Sequence, residues 1–376
     1  MTIEIDSSEE KELIEQLKKR SDAEANRLLR FLNLPDLSRT PGSPLKEIVE
    51  RTLRVKSLEG FDIIKIPEIV PTYVLFDLFN MPPGHPARSP SDTYYVNDEY
   101  VLRTHDTVFW YYYLNHPHIK EKIKKEEPLG VVCYGKVYRK DEIDSRHMNV
   151  FHQIGALYLE SDNKRILTPE DLKKALSETA RSIFGEQVNF RFYEHNFPYT
   201  DPSFEMEAEI EGRWTEMLGS GMPRKTVLAN FGLKGYNGWA FGFGMERLAM
   251  ASLALPDIRL LWSEDERVKK QLKLGSKFKE VSKFPAVTRD ISFVVSKDFV
   301  PNDYFDLIRD IGEDLVEEVK LIDKYEDPEK FGQDKVSYTY RIVYRSMERT
   351  LVSGEVDEIQ NKIYNETSKQ FNAKLR

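Results

Sequence analysis

The chain has 376 residues, of which 40% are apolar and 12% aromatic, with 19 tyrosines and 21 phenylalanines; that is material for about two or three cored domains and excludes wholesale disorder. Its single cysteine, Cys133, excludes an intrachain disulfide and a cysteine-cluster metal site, and fits a reducing compartment. The formal net charge of -8 argues against a nonspecific nucleic-acid coat, although a local basic patch can still meet RNA.

The first residues, MTIEIDSSEEKELIEQ, are acidic and have neither a signal-peptide core nor the Arg-rich character of a transit peptide. The expectation is a cytoplasmic protein. No apolar run is long enough to cross a bilayer, so no membrane partner is expected; even Ile63–Ile69 is interrupted by Lys65, Pro67 and Glu68.

In chain order, leucines at helical spacing predict a helix over 8–32, stopped by Pro35. A second helix is predicted over 45–58, ending at Gly60, and then a strand over 61–66 closed by Pro67. The Pro- and Gly-rich stretch 76–91 predicts loop. From 93 to 243, β-branched and aromatic runs alternate with short turns, broken by a helix over 169–184. Strands without regular intervening helices predict a largely antiparallel sheet, not a Rossmann alternation. Gly242 and Gly244 lead into an apolar helix over 245–255.

Residues 263–277 are poor in apolar side chains and predict a linker. Beyond it the pattern predicts a strand over 291–296, a helix over 302–319, strands over 320–325 and 336–345, and a helix over 353–371 with Ser353 as N-cap. With a short closing strand this is β-α-β-β-α-β, a ferredoxin-like order.

Three segments concentrate chemistry: the helix–Gly60–strand–Pro67 run; GKVYRKDEIDSRHMNVFHQIGALYLE (135–160), two strands joined by a polar loop; and FGFGMERLAM (241–250), a glycine-rich strand end feeding a helix. Singly they are weak, since arginines at strand ends are usually solvated and GFGME matches many turns. Their joint order resembles the three motifs of the class II aminoacyl-tRNA synthetases. More narrowly, FDLFNMPPGHPARSPSDTYY (76–95), VLRTHDT (101–107), GWAFGFGMERLAM (238–250) and PDIRLLW (256–262) resemble the phenylalanyl-tRNA synthetase catalytic chain. FPAVTRDISFVV (284–295), YRSMERTLVSGEV (344–356) and the terminal AKLR resemble that family's ferredoxin-fold anticodon-binding domain. Carrying both on one chain is similar to the single-chain, organellar-type enzymes.

The resemblance implies an α+β protein: a class II antiparallel sheet flanked by helices, followed by a ferredoxin-like domain. The division would be an N-terminal helical extension (1–43), a catalytic domain (44–262), a linker (263–277) and an anticodon-binding domain (278–376). It implies ATP-dependent activation of phenylalanine as an adenylate and transfer to tRNA, with Mg²⁺ bridging phosphate oxygens through protein ligands the resemblance leaves unnamed. Arg139 and Arg247 would be catalytic, because a guanidinium stays protonated and forks onto two phosphate oxygens. Arg139 would hold the α-phosphate and the carboxylate, and Arg247 the far phosphates and one adenine face, with Phe151 on the other. Asp141 and His147 would line the nucleotide site. The amino acid would lie among His105, Thr107, Gln153, Phe197, Tyr199, Gly219, Gly221, Ala240 and Gly242. A basic and aromatic face of Lys283, Arg289, Arg341, Tyr344, Arg345 and Arg349 would meet tRNA. Monomer and homodimer are both compatible with the pattern.

One departure stands out. The family reads His-Gln-hydrophobic-Glu in the second motif, the Glu binding the substrate ammonium, whereas this chain reads His152-Gln153-Ile154-Gly155. Three readings stay open at this level: an acid such as Asp106, Glu205 or Glu207 substitutes; the enzyme activates another amino acid, for tRNA or a different acceptor; or the chain is a catalytically silent regulator. If the lost carboxylate matters, Gly155→Glu is expected to strengthen phenylalanine use.

Overall fold

The first half of the chain threads β1 (Thr2–Glu4), α1 (Ser8–Lys18), α2 (Ala23–Asn33), α3 (Pro44–Leu53), β2 (Asp62–Lys65), β3 (Ile69–Pro71), α4 (Thr72–Leu75), β4 (Tyr100–Leu102), α5 (Phe109–Asn115) and α6 (Pro117–Lys124). Then come β5 (Leu129–Tyr138), β6 (Val150–Ser161), α7 (Pro169–Phe184), β7 (Phe190–His195), β8 (Thr200–Ile210), β9 (Arg213–Pro223), α8 (Lys225–Asn230), β10 (Tyr236–Gly244) and α9 (Met245–Leu253). The computed structural model describes residues 1–210, 212–280 and 284–376. Contacts divide it into a first unit of Met1–Arg139, Val150–Leu255 and Leu272–Phe278, and a second of Lys140–Asn149, Pro256–Gln271 and Lys279–Arg376.

The first unit is built on an eight-stranded sheet of order β1-β2-β5-β6-β10-β9-β8-β7. It is antiparallel from β5 to β7, with β1 and β2 added in parallel at the other edge. Both faces of β5 and β6 are buried, as their nearly continuous apolar runs require. Val131, Leu157 and Leu159 pack with Trp110 and Tyr113 of α5 and with Phe79, while Leu13, Leu17, Leu28 and Phe31 of α1 and α2 cover Tyr138 and Val150. Helix α7 matches its predicted span and carries a capping box between Thr168 and Asp171.

The expected helix over 8–32 is two helices. Asp22 accepts a hydrogen bond from the Ala25 amide and starts α2, an N-cap signal that the leucine spacing overrode. Lys136, 2% exposed, donates to the carbonyls of Leu32 and Leu34 and so satisfies the end of α2.

The second unit contains α10 (Glu266–Lys269), β11 (Val287–Ser296), α11 (Pro301–Gly312), β12 (Val316–Tyr325), α12 (Pro328–Phe331), β13 (Lys335–Tyr344), α13 (Ser353–Gln370) and β14 (Lys374–Leu375). Its sheet order, β12-β13-β11-β14, is the ferredoxin-like one. Phe293, Tyr304, Tyr340 and Ile342 form its core, joined by Ile143 from the 140–149 segment. The helix predicted to reach 319 stops at Gly312, where Glu313 turns to φ 48° and Val316 begins a strand. Ser353 is not the N-cap; Val352 holds that position, and the Ser353 hydroxyl accepts from Arg289.

Candidate active site

Alternation along a strand decides which side chains can share a pocket. Phe151, Gln153 and Gly155 occupy odd positions of β6 and therefore one face, while His152 and Ile154 occupy the other. Antiparallel neighbours directly opposite each other share a face. Gly242 and Gly244 of β10 stand opposite Gly155 and Gln153, and Gly219 and Gly221 of β9 stand opposite Gly242 and Ala240. The register thus assembles a patch whose floor is largely glycine and alanine, across three adjacent strands.

Side chains from elsewhere in the first unit occupy the space those glycines leave. A Cβ at Gly219 would stand 2.9 Å from the Phe197 ring, and one at Gly221 would stand 2.6 Å from Thr200 Cβ and 2.7 Å from the Pro202 carbonyl. A Cβ at Gly155 would collide with Asp106 Oδ2, and one at Gly242 would come within 3.2 Å of Asp106 Oδ1. Phe197 and Tyr199 stack at 5.6 Å and 13° between planes. Phe79 meets both Tyr199 (6.0 Å) and His105 (5.8 Å) edge to face. Phe79, fully buried, has no functional signal in the sequence beyond its place in the 76–95 segment.

The loop between β4 and α5 supplies the polar groups. Gln153 Oε1 accepts from the Asp106 amide at 3.0 Å. Both ring nitrogens of His105 are shielded from solvent; burial, then Arg139 and Arg103, push its imidazole down to about 3, so it is neutral. Asp106 is 3% exposed, and burial pushes its carboxyl up to about 7 against the pull of Arg103 and Arg139. Its Oδ2 has no hydrogen-bond partner among the described residues. Thr107 follows on the same turn, partly buried.

Arg139 leaves the end of β5, donates from Nε to the Thr104 carbonyl (2.9 Å) and lies 5.3 Å from the Phe151 ring centre. Arg247, on the first turn of α9, reaches Glu216 of β9 at 2.9 Å, both side chains half exposed. Glu246 points the other way: it accepts from the His152 amide and ring Nδ1, while Nε2 accepts from the Leu37 amide. Since Nε2 must accept, the proton sits on Nδ1. This buried latch ties β6 to α9 and leaves Phe151 and Gln153 facing the patch.

The remaining described residues named from the sequence belong to the second unit, and Lys283 alone lies outside the described residues. The carbonyl of Asp141 accepts from Arg309 (2.8 Å) and His147 pairs with Asp144 (2.8 Å). Arg289 is held by Asp357 and Ser353, Arg341 by Asp290, Arg345 by Glu317 and Arg349 by Glu355. Tyr344 does not join an RNA-facing surface: it is fully buried, with its hydroxyl donating to Gln360. It lies three positions after Arg341, and an odd offset on a strand places two side chains on opposite faces.

Comparison with known proteins places residues 33–272 in a family described as tRNA synthetases class II core domain (F), and 282–376 in one described as ferredoxin-fold anticodon binding domain. The chain is 41% identical over 319 residues to a chloroplastic/mitochondrial phenylalanine--tRNA ligase of Arabidopsis thaliana, covering 82% of this chain and 71% of that one. It is 36% identical to the mitochondrial phenylalanine--tRNA ligase of Mus musculus (80% and 72% covered) and 31% identical to that of Saccharomyces cerevisiae (89% and 87% covered). These names overturn the cytoplasmic expectation, since the relatives are named chloroplastic or mitochondrial. The expectation was read from the first residues, and those residues form β1 and α1 of the folded unit, so their composition reports on the fold.

Proposed function

Because the chain belongs to the phenylalanine-type class II aminoacyl-tRNA synthetases, we propose that the patch on β6, β10 and β9 is where an amino acid and ATP react, and that the ferredoxin-fold unit carries the tRNA. The enzyme activates phenylalanine with ATP and charges tRNA with it. The other-substrate and silent-regulator readings are not favoured, since relatives matching most of the chain carry the phenylalanine name.

The observation that carries the site assignment is the glycine floor beneath stacked aromatic rings. Backbone without Cβ atoms lets Phe197 and Asp106 lie close to the sheet, and Phe197, Tyr199 and Phe79 offer edges and faces to a substrate ring beside them. Ala240, at the far end of the floor, leaves room for a phenyl ring without offering a hydroxyl partner. In the first step a carboxylate oxygen of the amino acid attacks the α-phosphorus of ATP, and the bond to pyrophosphate breaks. Arg139, anchored on Thr104, neutralises the charge that builds on the α-phosphate; Arg247 takes the distal phosphates, and Phe151 covers the adenine. In the second step a ribose hydroxyl at the tRNA terminus attacks the carbonyl carbon and AMP leaves. Gln153, His105 and Thr107 orient the polar end of the amino acid.

Bound with ATP, Mg²⁺ would supply positive charge at the phosphates, where Arg139 and Arg247 are the chain's own groups. Among the described residues no group of three His, Cys, Asp or Glu forms a dedicated cage. The chain's own contribution at this point is the pair of guanidiniums.

ATP–pyrophosphate exchange across a panel of amino acids tests the reading. Exchange dependent on phenylalanine, followed by charging of tRNA(Phe), is the expected result. Exchange only with another amino acid overturns the specificity, and ATP binding without any exchange overturns the enzymatic reading.

A further inference from the structure

The sheet position where the family keeps an acid for the substrate ammonium is Gly155 here, yet a carboxylate occupies the same space. We propose that Asp106, reaching over Gly155 and Gly242 from the loop between β4 and α5, is the group that binds the ammonium of the amino acid, and so sets the requirement for an α-amino substrate. This deepens the functional reading above and rests on it.

Geometry carries the proposal. Asp106 Oδ2 fills the place that a Cβ at 155 would need, and Oδ1 stands 3.2 Å from where a Cβ at 242 would be. Glycine at both positions is what admits the carboxylate. The side chain is 3% exposed, and its Oδ2 lacks a hydrogen-bond partner among the described residues, although a buried carboxylate without a hydrogen-bonded counter-charge is strongly unfavourable. A ligand ammonium supplies both donor and charge.

The rival acids are committed elsewhere. Glu205 pairs with His195 (3.1 Å) and Glu207 with Arg191 (2.8 Å). The same loop also orients the other end of an amino acid, because Thr104, two residues before Asp106, anchors the Arg139 guanidinium. One turn thereby presents an anion for the ammonium and steadies a cation for the carboxylate. Gln153, which accepts from the Asp106 amide, locks that turn to β6.

The test uses the full chain and separates ammonium from carboxylate recognition by calorimetric binding. Phenylalaninol has the ammonium without the carboxylate, and 3-phenylpropanoate has the carboxylate without the ammonium. Asp106→Asn is expected to weaken phenylalaninol by about 100-fold, the scale of a lost buried charge pair, while 3-phenylpropanoate holds or tightens. Equal weakening of both, or an unchanged phenylalaninol affinity, overturns the proposal. A swap guards against misfolding of the single variant. Gly155→Glu alone is expected to bind phenylalaninol worse than the parent, because its Cβ collides with Asp106 and stands 3.0 Å from the Phe241 carbonyl. Adding Asp106→Ser is expected to restore binding to within about tenfold; no recovery in a melting-competent double variant also defeats it. Phenylalanine-dependent exchange by the parent reports on the functional reading separately, since binding of the two half-ligands needs no turnover.

Discussion

Asp106 shows how one buried side chain can oppose stability in order to serve binding. Around it are Arg103, Arg139, Cys133 and Tyr199, and burial outweighs the two guanidiniums, holding the carboxyl at about 7 against an ordinary 3.8. Between those values the native state keeps a proton that the unfolded chain has released, so stability falls as pH rises through that window. Above it the loss is on the order of 4 kcal/mol. Asp106→Asn is therefore expected to melt higher than the parent at pH 8 and alongside it at pH 4; coincident melting at both pH values would count against the burial argument. In the parent, kcat/KM for phenylalanine is expected to rise with pH through about 7 as the carboxylate forms. Arg139→Ala is expected to lose at least about 100-fold in ATP–pyrophosphate exchange with an unchanged melting curve, a loss typical of removing one donor from a developing charge. Near-parental exchange would remove Arg139 from the mechanism.

At the scale of elements, the floor of the site is a property of three strands in register. A residue added at Gly219 meets the movable edge of Phe197, whereas one at Gly221 meets the Pro202 backbone. Gly219→Ala is therefore expected to raise KM for phenylalanine with KM for ATP nearly constant, and Gly221→Ala to lower stability as well. If both behaved alike in steady-state kinetics and melting, the distinction between side-chain and backbone obstruction would be wrong. The latch from His152 to Glu246 holds β6 against α9 through two buried bonds. Glu246→Ala removes the carboxylate that the His152 amide and ring Nδ1 share, with an expected loss of about 3 kcal/mol in denaturant unfolding. The expected gain from Gly155→Glu, argued from the motif alone, is reversed by the same kind of reasoning, since the strand register puts Asp106 where the new side chain would begin.

For the whole molecule, an acidic chain must hold an RNA. Net charge is -8, and the arginines named for the second unit are paired with carboxylates. The proposal that these arginines meet tRNA requires phosphate to displace those partners, so association is expected to weaken with salt. Raising salt from about 50 to 200 mM is expected to increase KM for tRNA by at least tenfold while KM for phenylalanine changes little. A flat response in tRNA charging kinetics would show that shape, with few phosphate contacts, governs the encounter.

The sequence alone determined whatever depends on neighbours along the chain. Strand alternation put Phe151, Gln153 and Gly155 on one face, local composition marked α7 and α9, and the order of elements named both the antiparallel core and the ferredoxin-like unit. Even the placement of Tyr344 in the core was readable from its odd separation from Arg341. Tertiary structure decided what joins residues far apart: which glycine lies under Phe197, which acid holds each arginine, and that Asp106 reaches the bare backbone of Gly155, 49 positions later in the chain. Local preference is fixed by steric and hydrogen-bonding rules within a few residues, whereas register and side-chain reach are settled only when the sheet packs and excludes the alternatives.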